Sequence, residues 1–330
     1  MRVLITGGCG FIGSHLIEAC LAAGHHVETI DRITYAGCRD NLPWRFQGWR
    51  CVDVCDRTMV DATLARVRPD WVIHAAAETH VGRAINDAEV FLQTNVIGTH
   101  VMLEACLGYW REREHDPKFR FLHVSTDEVH GSIERGLWTE YSPYAPNNQY
   151  AASKAAADHL CRAYWATQKL PVIVTHCGNN YGTRQHPEKL IPTLIGQAMN
   201  GEPMTLHGDG MNVRDWIAVE DHCEGLLRAL ERGEPGETYA FSAGETLRNV
   251  DVAALVAHAA NSIIPHDHVV QFGPDRAGND RRYAMDSTWT QRILCWGPTR
   301  GLGESMRGMA EWYTENQNRP YGVGAVRAWG

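Results

Sequence analysis

The sequence predicts an α/β protein: a Rossmann-type, doubly wound parallel sheet with a smaller C-terminal substrate-binding domain. Three observations carry this reading. Short β-like runs alternate with longer helical patterns through the first half of the 330 residues, an order that implies βαβ units. The first strand enters its helix through a glycine-rich turn, "ITGGCGFIGSHL". Beyond about Gly178 the alternation gives way to loop-like stretches such as "NNYGTRQHPEKLIP" and "LHGDGMNVRDW".

Taken in order, the strands are expected at Arg2 to Thr6, Val27 to Ile30, Trp49 to Val52, Trp71 to Ala75, Phe121 to Ser125 and Val172 to Thr175. Each is a short apolar run. Helices are expected between them, from Phe11 to Ala23, Met59 to Val67, Val90 to Leu107 and Gln149 to Gln168. Such connections wind the sheet in both directions and place ligands at the carboxyl ends of its strands. The stretch "VRDWIAVEDHCEGLLRALERG" reads as a strand and helix returning to the first domain. The expected division is 1–178 with 213–242 as a cofactor-binding domain, and 179–212 with 243–330 as a domain for a second ligand.

A composition of 44% hydrophobic and 21% charged residues is that of an ordinary globular chain. The net charge of -8 argues against a nucleic-acid partner, since such binding rests on Lys and Arg neutralising phosphates. Any anionic ligand must be held by local donors. No apolar run approaches the roughly 18 residues that cross a bilayer, and "MRVLITGG" reads as a strand rather than a leader. The expectation is a cytoplasmic protein with no membrane partner. Ten cysteines without a CxxC pair, and 17 histidines without HExxH, suit reduced thiols and no metal site.

Gly8, Gly10 and Gly13 fit GxGxxG, and Gly7, Gly10 and Gly13 fit the GxxGxxG variant. Glycines let the turn form and let backbone N–H groups approach a pyrophosphate at the helix N-terminus. Asp31 ends the second strand, 18 residues after Gly13. An acid there binds ribose hydroxyls and repels a 2′-phosphate, which favours NAD over NADP. Asp53, after the third strand, is read either as an adenine contact or as a solvated loop acid.

In "QYAASKAAADHL", Tyr150 and Lys154 lie four apart on a helical pattern and share a face. Of 11 tyrosines only Tyr150 has lysine at that spacing. A phenol starts near pKa 10, so service as a base requires roughly 4 kcal/mol of phenolate stabilisation. Lys154 and a positive nicotinamide ring are the expected sources. Thr126, at the end of the neighbouring strand, can hydrogen-bond the same substrate hydroxyl. Together the three would take a proton from an alcohol as NAD takes the hydride. The adjacent carboxyls of "HVSTDEVHG", Asp127 and Glu128, follow a strand that reads as buried, a costly placement unless chemistry requires it.

With these motifs in place, the chain resembles the extended short-chain dehydrogenase/reductase family, and within it the dTDP-glucose 4,6-dehydratases. The resemblance runs nearly end to end, through "DRITYAG", "AAETHVGRAI", "TNVIGTHVMLEA", "STDEVHG", "RDWIAVEDH" and "DRRYAMD". It implies oxidation of a nucleoside-diphosphate hexose at C4, removal of the C5 proton by Glu128, protonation of the departing O6 by Asp127, and return of the hydride to C6. It also implies cofactor contacts from Phe11, Ile12, Val54, Ala75, Ala77, Asn95 and Asn180, in addition to the glycine loop, Tyr150 and Lys154. On the substrate side it implies Thr79 and Asn179 at the sugar, Lys189 and Leu190 at the nucleotide end, Arg214 and Arg276 at the diphosphate, and Asn249 near the nucleotide. A homodimer through the helices at 90–107 and 149–168 is a further implication.

Five positions depart from the usual pattern: Gly82, His130, His176, His207 and Asn279. The last two lie where the family holds base and diphosphate, so a UDP-linked sugar stays open as substrate. A same-fold epimerase or decarboxylase, and a non-catalytic nucleotide-sugar or NAD sensor, are the competing functions.

Overall fold

The computed structural model describes residues 1–265 and 267–316. The expected C-terminal part, 243–330, thus ends in a stretch, 317–330, that lies outside the described residues. The strands in chain order are β1 (Arg2–Thr6), β2 (His26–Ile30), β3 (Trp49–Arg50), β4 (Trp71–His74), β5 (Arg120–Val124), β6 (Val172–Cys177), β7 (Asn179–Tyr181), β8 (Met204–His207), β9 (Val213–Ala218), β10 (Thr238–Phe241), β11 (Glu245–Arg248) and β12 (Val270–Gly273). Seven form the main sheet in the order β10-β6-β5-β4-β1-β2-β3, and every pairing in it is parallel. The Rossmann-type expectation is correct.

Strand alternation builds two cores from one sheet. Val3, Ile5, Ile73 and Leu122 face one layer of helices, and Leu4, Val72, Phe121 and Val172 face the other. Most of these side chains are fully buried, and each contributes about 1.5–3 kcal/mol from the apolar area withdrawn from water. The order reverses between β1 and β4, so the loops after Thr6, His74 and Val124 open one crevice at the strands' carboxyl ends.

The segment 213–242 divides between the two parts. β10 extends the main sheet beside β6, and the helix Val219–Arg232 supplies Val219, Cys223 and Leu226 to the core under it. β9 instead joins a small sheet between β11 and β7, because its register with Asn179–Tyr181 continues from the end of β6. A third core, with Tyr181, Leu194, Trp216, Val252 and Tyr313, fills this second part.

The expected Val90–Leu107 helix is longer and less regular. A helix at Ala88–Phe91 passes through a π-helical turn, Leu92–Ile97, into Gly98–Glu112. The continuous span Ala88–Glu112 has a window of mean hydropathy 1.2, long and apolar enough to cross a membrane, and 56% of that window is buried inside the protein. The span is not one continuous apolar run, because polar residues such as Gln93, Thr94, Asn95 and Glu104 interrupt it. Met102, Leu103 and Cys106 place it in the core.

Candidate active site

The glycine turn closes as its motif requires. Gly10 N–H donates to Gly7 O at 3.1 Å. Gly7 has φ +76°, and a Cβ on Gly13 would sit 2.1 Å from Gly7 O, so neither position admits a side chain. The helix Phe11–Ala22 starts there, and Gly7, Gly10, Phe11, Ile12 and Gly13 line a cleft with Asp31, Asp53, Val54, Ala75, Ala77, Thr79 and Asn180. The backbone approach, the helix N-terminus and an acid at the end of β2 fit a dinucleotide.

Asp31 is held by backbone donors, Cys9 N–H at 2.9 Å and Ile33 N–H at 2.7 Å, which leaves further acceptor capacity on each oxygen. Asp53 takes a role that neither expectation named. It pairs with Arg32 at 2.7 Å and accepts from Cys55 N–H at 2.9 Å. Arg32 also lies 3.7 Å from Glu78, so this cation, next to Asp31 in the chain, is neutralised by two acids. Asn95 does not line the cleft. Its amide is fully engaged with Glu78 backbone atoms and the Ser153 hydroxyl, and it ties the cofactor loop to the Tyr150 helix through the π-helical turn.

Thr126, Asp127, Glu128, Tyr150 and Lys154 share the same cleft. Thr126 caps the turn Asp127–His130, its hydroxyl accepting from Glu128 N–H at 3.3 Å and donating to Asp127 Oδ1 at 3.3 Å. The two carboxyls meet different surroundings. Asp127 is 2% exposed and its Oδ2 has no hydrogen-bond partner. Burial, then Glu128 and Asp215, push its carboxyl well above the ordinary range. Burial raises Glu128 as well, opposed by a hydrogen bond from Asn148 Nδ2 at 3.3 Å and by Arg214 and Lys189.

Lys154 lines the cleft with Tyr150 but turns its ammonium inward. Its ammonium donates to Val124 O at 2.7 Å and lies 3.3 Å from His123 Nε2. No hydrogen bond joins it to the Tyr150 hydroxyl among the described residues. Burial and Glu128 push the Tyr150 phenol well above its usual value, against a hydrogen bond to Thr126. Lys154 is drawn inward because a buried ammonium, 3% exposed, needs acceptors, and a strand-end carbonyl supplies one.

The cleft continues into a second lobe lined by Asn179, Lys189, Leu190, His207, Arg214, Asn249, Arg276 and Asn279. Thr79, Glu128, Asn179 and Lys189 face both lobes, so Glu128 stands at their junction, with Asp127 on the cofactor side. Asn179 Oδ1 and Asn249 Oδ1 are buried without a partner, as ligand acceptors would be. Arg214 reaches Asn279 Oδ1 at 3.1 Å and stacks on the Tyr283 ring at 4.5 Å. Neither Arg214 nor Arg276 forms an ion pair among the described residues. His207 is exposed at the rim, donating Nδ1–H to Pro274 O at 3.2 Å. Gly82 lies under His80, whose ring would be 3.0 Å from a Cβ there.

Sequence reasoning missed Arg32, Glu78, Asn148, Asp215 and Glu188. Asn148 alone carried a signal, as an N-cap residue before "QYAASK". Glu188 gathers the Tyr35 hydroxyl at 3.0 Å with His80 and His186, a grouping that no linear spacing reveals.

The profile of the GDP-mannose 4,6 dehydratase family matches residues 4–309. The chain is 41% identical to the dTDP-glucose 4,6-dehydratase of Neisseria gonorrhoeae, covering 96% of this chain and 97% of that one. It is 39% identical to dTDP-glucose 4,6-dehydratase 1 of Escherichia coli strain K12, over 100% and 98%. Among solved structures, DesIV, the dTDP-glucose 4,6-dehydratase of Streptomyces venezuelae with NAD and dTDP bound, superposes with a TM-score of 0.89 at 39% identity over 97% and 100% of the two chains. The UDP-glucose 4-epimerase of Thermus thermophilus follows with 0.86 at 31%, over 94% and 98%, so the backbone alone does not separate dehydratase from epimerase. By profile and by identity over its whole length, the chain belongs to the GDP-mannose 4,6 dehydratase family and, within it, to the dTDP-glucose 4,6-dehydratases.

Proposed function

We propose that the protein converts dTDP-glucose to dTDP-4-keto-6-deoxyglucose, with the glycine-loop lobe holding the cofactor and the second lobe the nucleotide sugar. Bound along the glycine loop, NAD would supply the hydride acceptor for C4, the hydride donor for C6 and a positive charge that favours the phenolate. Tyr150 takes the O4 proton, with the Thr126 hydroxyl holding O4 in line. The C4 ketone acidifies C5–H, and Glu128 removes that proton. Asp127 delivers a proton to O6 as water leaves, and Glu128 returns its own proton to C5 when the hydride reaches C6.

One observation carries this reading: the unequal surroundings of Asp127 and Glu128. Elimination requires one protonated and one ionised carboxyl. Burial raises both carboxyls, but Asp127, enclosed with Glu128 and Asp215, is pushed well above the ordinary range, whereas the Asn148 amide and Lys189 work against the rise of Glu128 and favour its carboxylate. An epimerase has no elimination for such a pair to serve, and a sensor has no need of proton-transfer groups. Arg214 and Arg276 suit the diphosphate as fork-shaped donors, and the partnerless Asn179 and Asn249 oxygens suit sugar and nucleotide donors.

Incubation with dTDP-glucose should yield a 4-keto product that absorbs in alkali. Turnover of UDP-glucose instead would move the reading to the UDP-linked alternative, and no product from either would remove it. The exposed apolar residues Leu92 and Ile97, within the Ala88–Glu112 span, and Ile85 just before it support a homodimer, which light scattering after size exclusion would test. Ten free cysteines among the described residues suit a reducing cytoplasm.

A further inference from the structure

We propose that the Tyr35 side chain, hydrogen-bonded to Glu188 and covered by the Arg83 guanidinium, is a clasp that closes the cofactor lobe and retains NAD from one turnover to the next. The proposal rests on the cofactor lobe assigned above and concerns residues outside it. Three segments meet at the clasp: the loop 32–38 after β2, the stretch 79–86 with its short helix Val81–Asn86, and the loop 184–189 of the second part. The Tyr35 hydroxyl donates to Glu188 Oε1 at 3.0 Å. The Arg83 guanidinium lies 3.7 Å from the centre of the Tyr35 ring, and its Nε lies 3.7 Å from Glu188 Oε2. The His186 ring meets the same tyrosine edge-on, with centroids 5.4 Å apart. Thr34, Ala36 and Gly37 line the cofactor cleft, as do His186, Glu188 and Lys189. The Tyr35–Glu188 bond therefore joins two parts of one wall that lie 153 residues apart in the chain.

One side of the clasp is fixed and the other is a loop. Arg184 donates to the two Glu18 carboxylate oxygens at 2.8 and 2.6 Å and to Asn41 O at 3.0 Å. Gln185 O accepts from the Tyr313 hydroxyl at 3.0 Å, and Lys189 begins the helix Leu190–Met199. The segment 184–189 is thus held along its length. The loop 32–38 is pinned near its ends, by Ile33 N–H on Asp31 Oδ1 at 2.7 Å and Cys38 N–H on Cys9 O at 2.9 Å. Its crown is held by side chains: Tyr35 on Glu188 and Thr79, and Thr34 on Glu78. His80 and His186 lie 4.0 and 3.7 Å from Glu188 Oε2, but in each the facing Nδ1 already accepts a backbone N–H. Neither histidine can replace the tyrosine as donor at that nitrogen. Lifting 34–37 away from 184–189 must break a hydroxyl–carboxylate bond and uncover a cation–π contact, both costly where burial is partial.

The reaction gives such a clasp its use. The hydride taken from C4 returns at C6, so the cofactor ends each turnover in its starting oxidation state and need not exchange. The nucleotide sugar must enter and leave every time. Tyr35 and Arg83 line neither lobe, so the clasp can stay shut while the second lobe exchanges its ligand. Both are positioning residues, acting on the cofactor only through the wall they close.

The test loads the holoenzyme with radiolabelled NAD, adds a large excess of unlabelled NAD, and follows the label that stays with the protein through rapid desalting. The kcat for dTDP-glucose is measured in parallel at saturating NAD. Tyr35→Phe keeps the ring and removes the bond to Glu188. It should quicken loss of label by at least about tenfold, the ratio expected for a hydrogen bond to a charged acceptor, and leave kcat at saturating NAD at the wild-type value. Arg83→Ala, which uncovers the ring, should also quicken the loss, and it decides the matter if the phenylalanine variant does not fold. Loss of label at the wild-type rate in both variants overturns the clasp. So does a faster loss matched by an equal fall in kcat at saturating NAD, which is the mark of a general loosening of the fold. A wild-type protein that takes up no label overturns the cofactor assignment and the clasp with it, whereas unchanged release from a labelled protein strikes the clasp alone.

Discussion

Asn148 joins the two halves of the catalytic group: its Oδ1 accepts from Ala151 N–H at 2.8 Å, capping the helix of Tyr150 and Lys154, while its Nδ2 donates to Glu128 Oε2 at 3.3 Å. One side chain thereby fixes the start of that helix and favours the ionised form of the base. Asn148→Ala should cost about 1 kcal/mol of stability through the lost cap. It should also raise the Glu128 pKa. Because the base works only when ionised, the acid limb of the kcat profile should move to higher pH, whereas a purely structural role would lower kcat at every pH alike.

Asp215 is fully buried behind Asp127, and burial raises its pKa from 3.8 to about 6 despite the Ser242 hydrogen bond. An acid raised in the folded state keeps its proton there after the unfolded chain has lost it. Stability should therefore fall as pH rises from about 4 to 6, by about 3 kcal/mol at roughly 1.4 kcal/mol per pH unit. Asp215→Asn should lack that fall. Urea unfolding of both proteins at three pH values across this window would measure the difference.

The cofactor preference should reside in Asp31 and in the two acids that neutralise Arg32. Asp31→Asn should weaken NAD binding and narrow its advantage over NADP by about tenfold, or roughly 1.4 kcal/mol. Fluorescence titration of cofactor-free protein with both dinucleotides measures the ratio. Asp53→Ala, by freeing Arg32, should move that ratio in the same direction.

The groups that could be read directly from the chain are those whose partners are close in sequence. The glycine turn, Thr126 with its two acids, and Tyr150 with Lys154 each occupy one strand end or one helix face, so spacing alone brings them together. The parallel order of the main sheet followed from the same alternation. What escaped depends on contacts across the fold. The inward turn of Lys154 depends on a carbonyl 30 residues away, and the Arg32–Asp53–Glu78 cluster on three separate strand ends. The register of β9 with β7 depends on the path of the chain after β6, which apolar periodicity does not encode.

The division of labour between Asp127 and Glu128 is tested most directly by changing both to amides, in a protein that retains Tyr150, Lys154 and bound NAD. Mixed with dTDP-glucose, Asp127→Asn with Glu128→Gln should still reduce nicotinamide, and the reduced form should persist while 4-keto-6-deoxy sugar formation falls by at least about 100-fold. Formation of that sugar at the wild-type rate would contradict the assignment of elimination to this carboxyl pair.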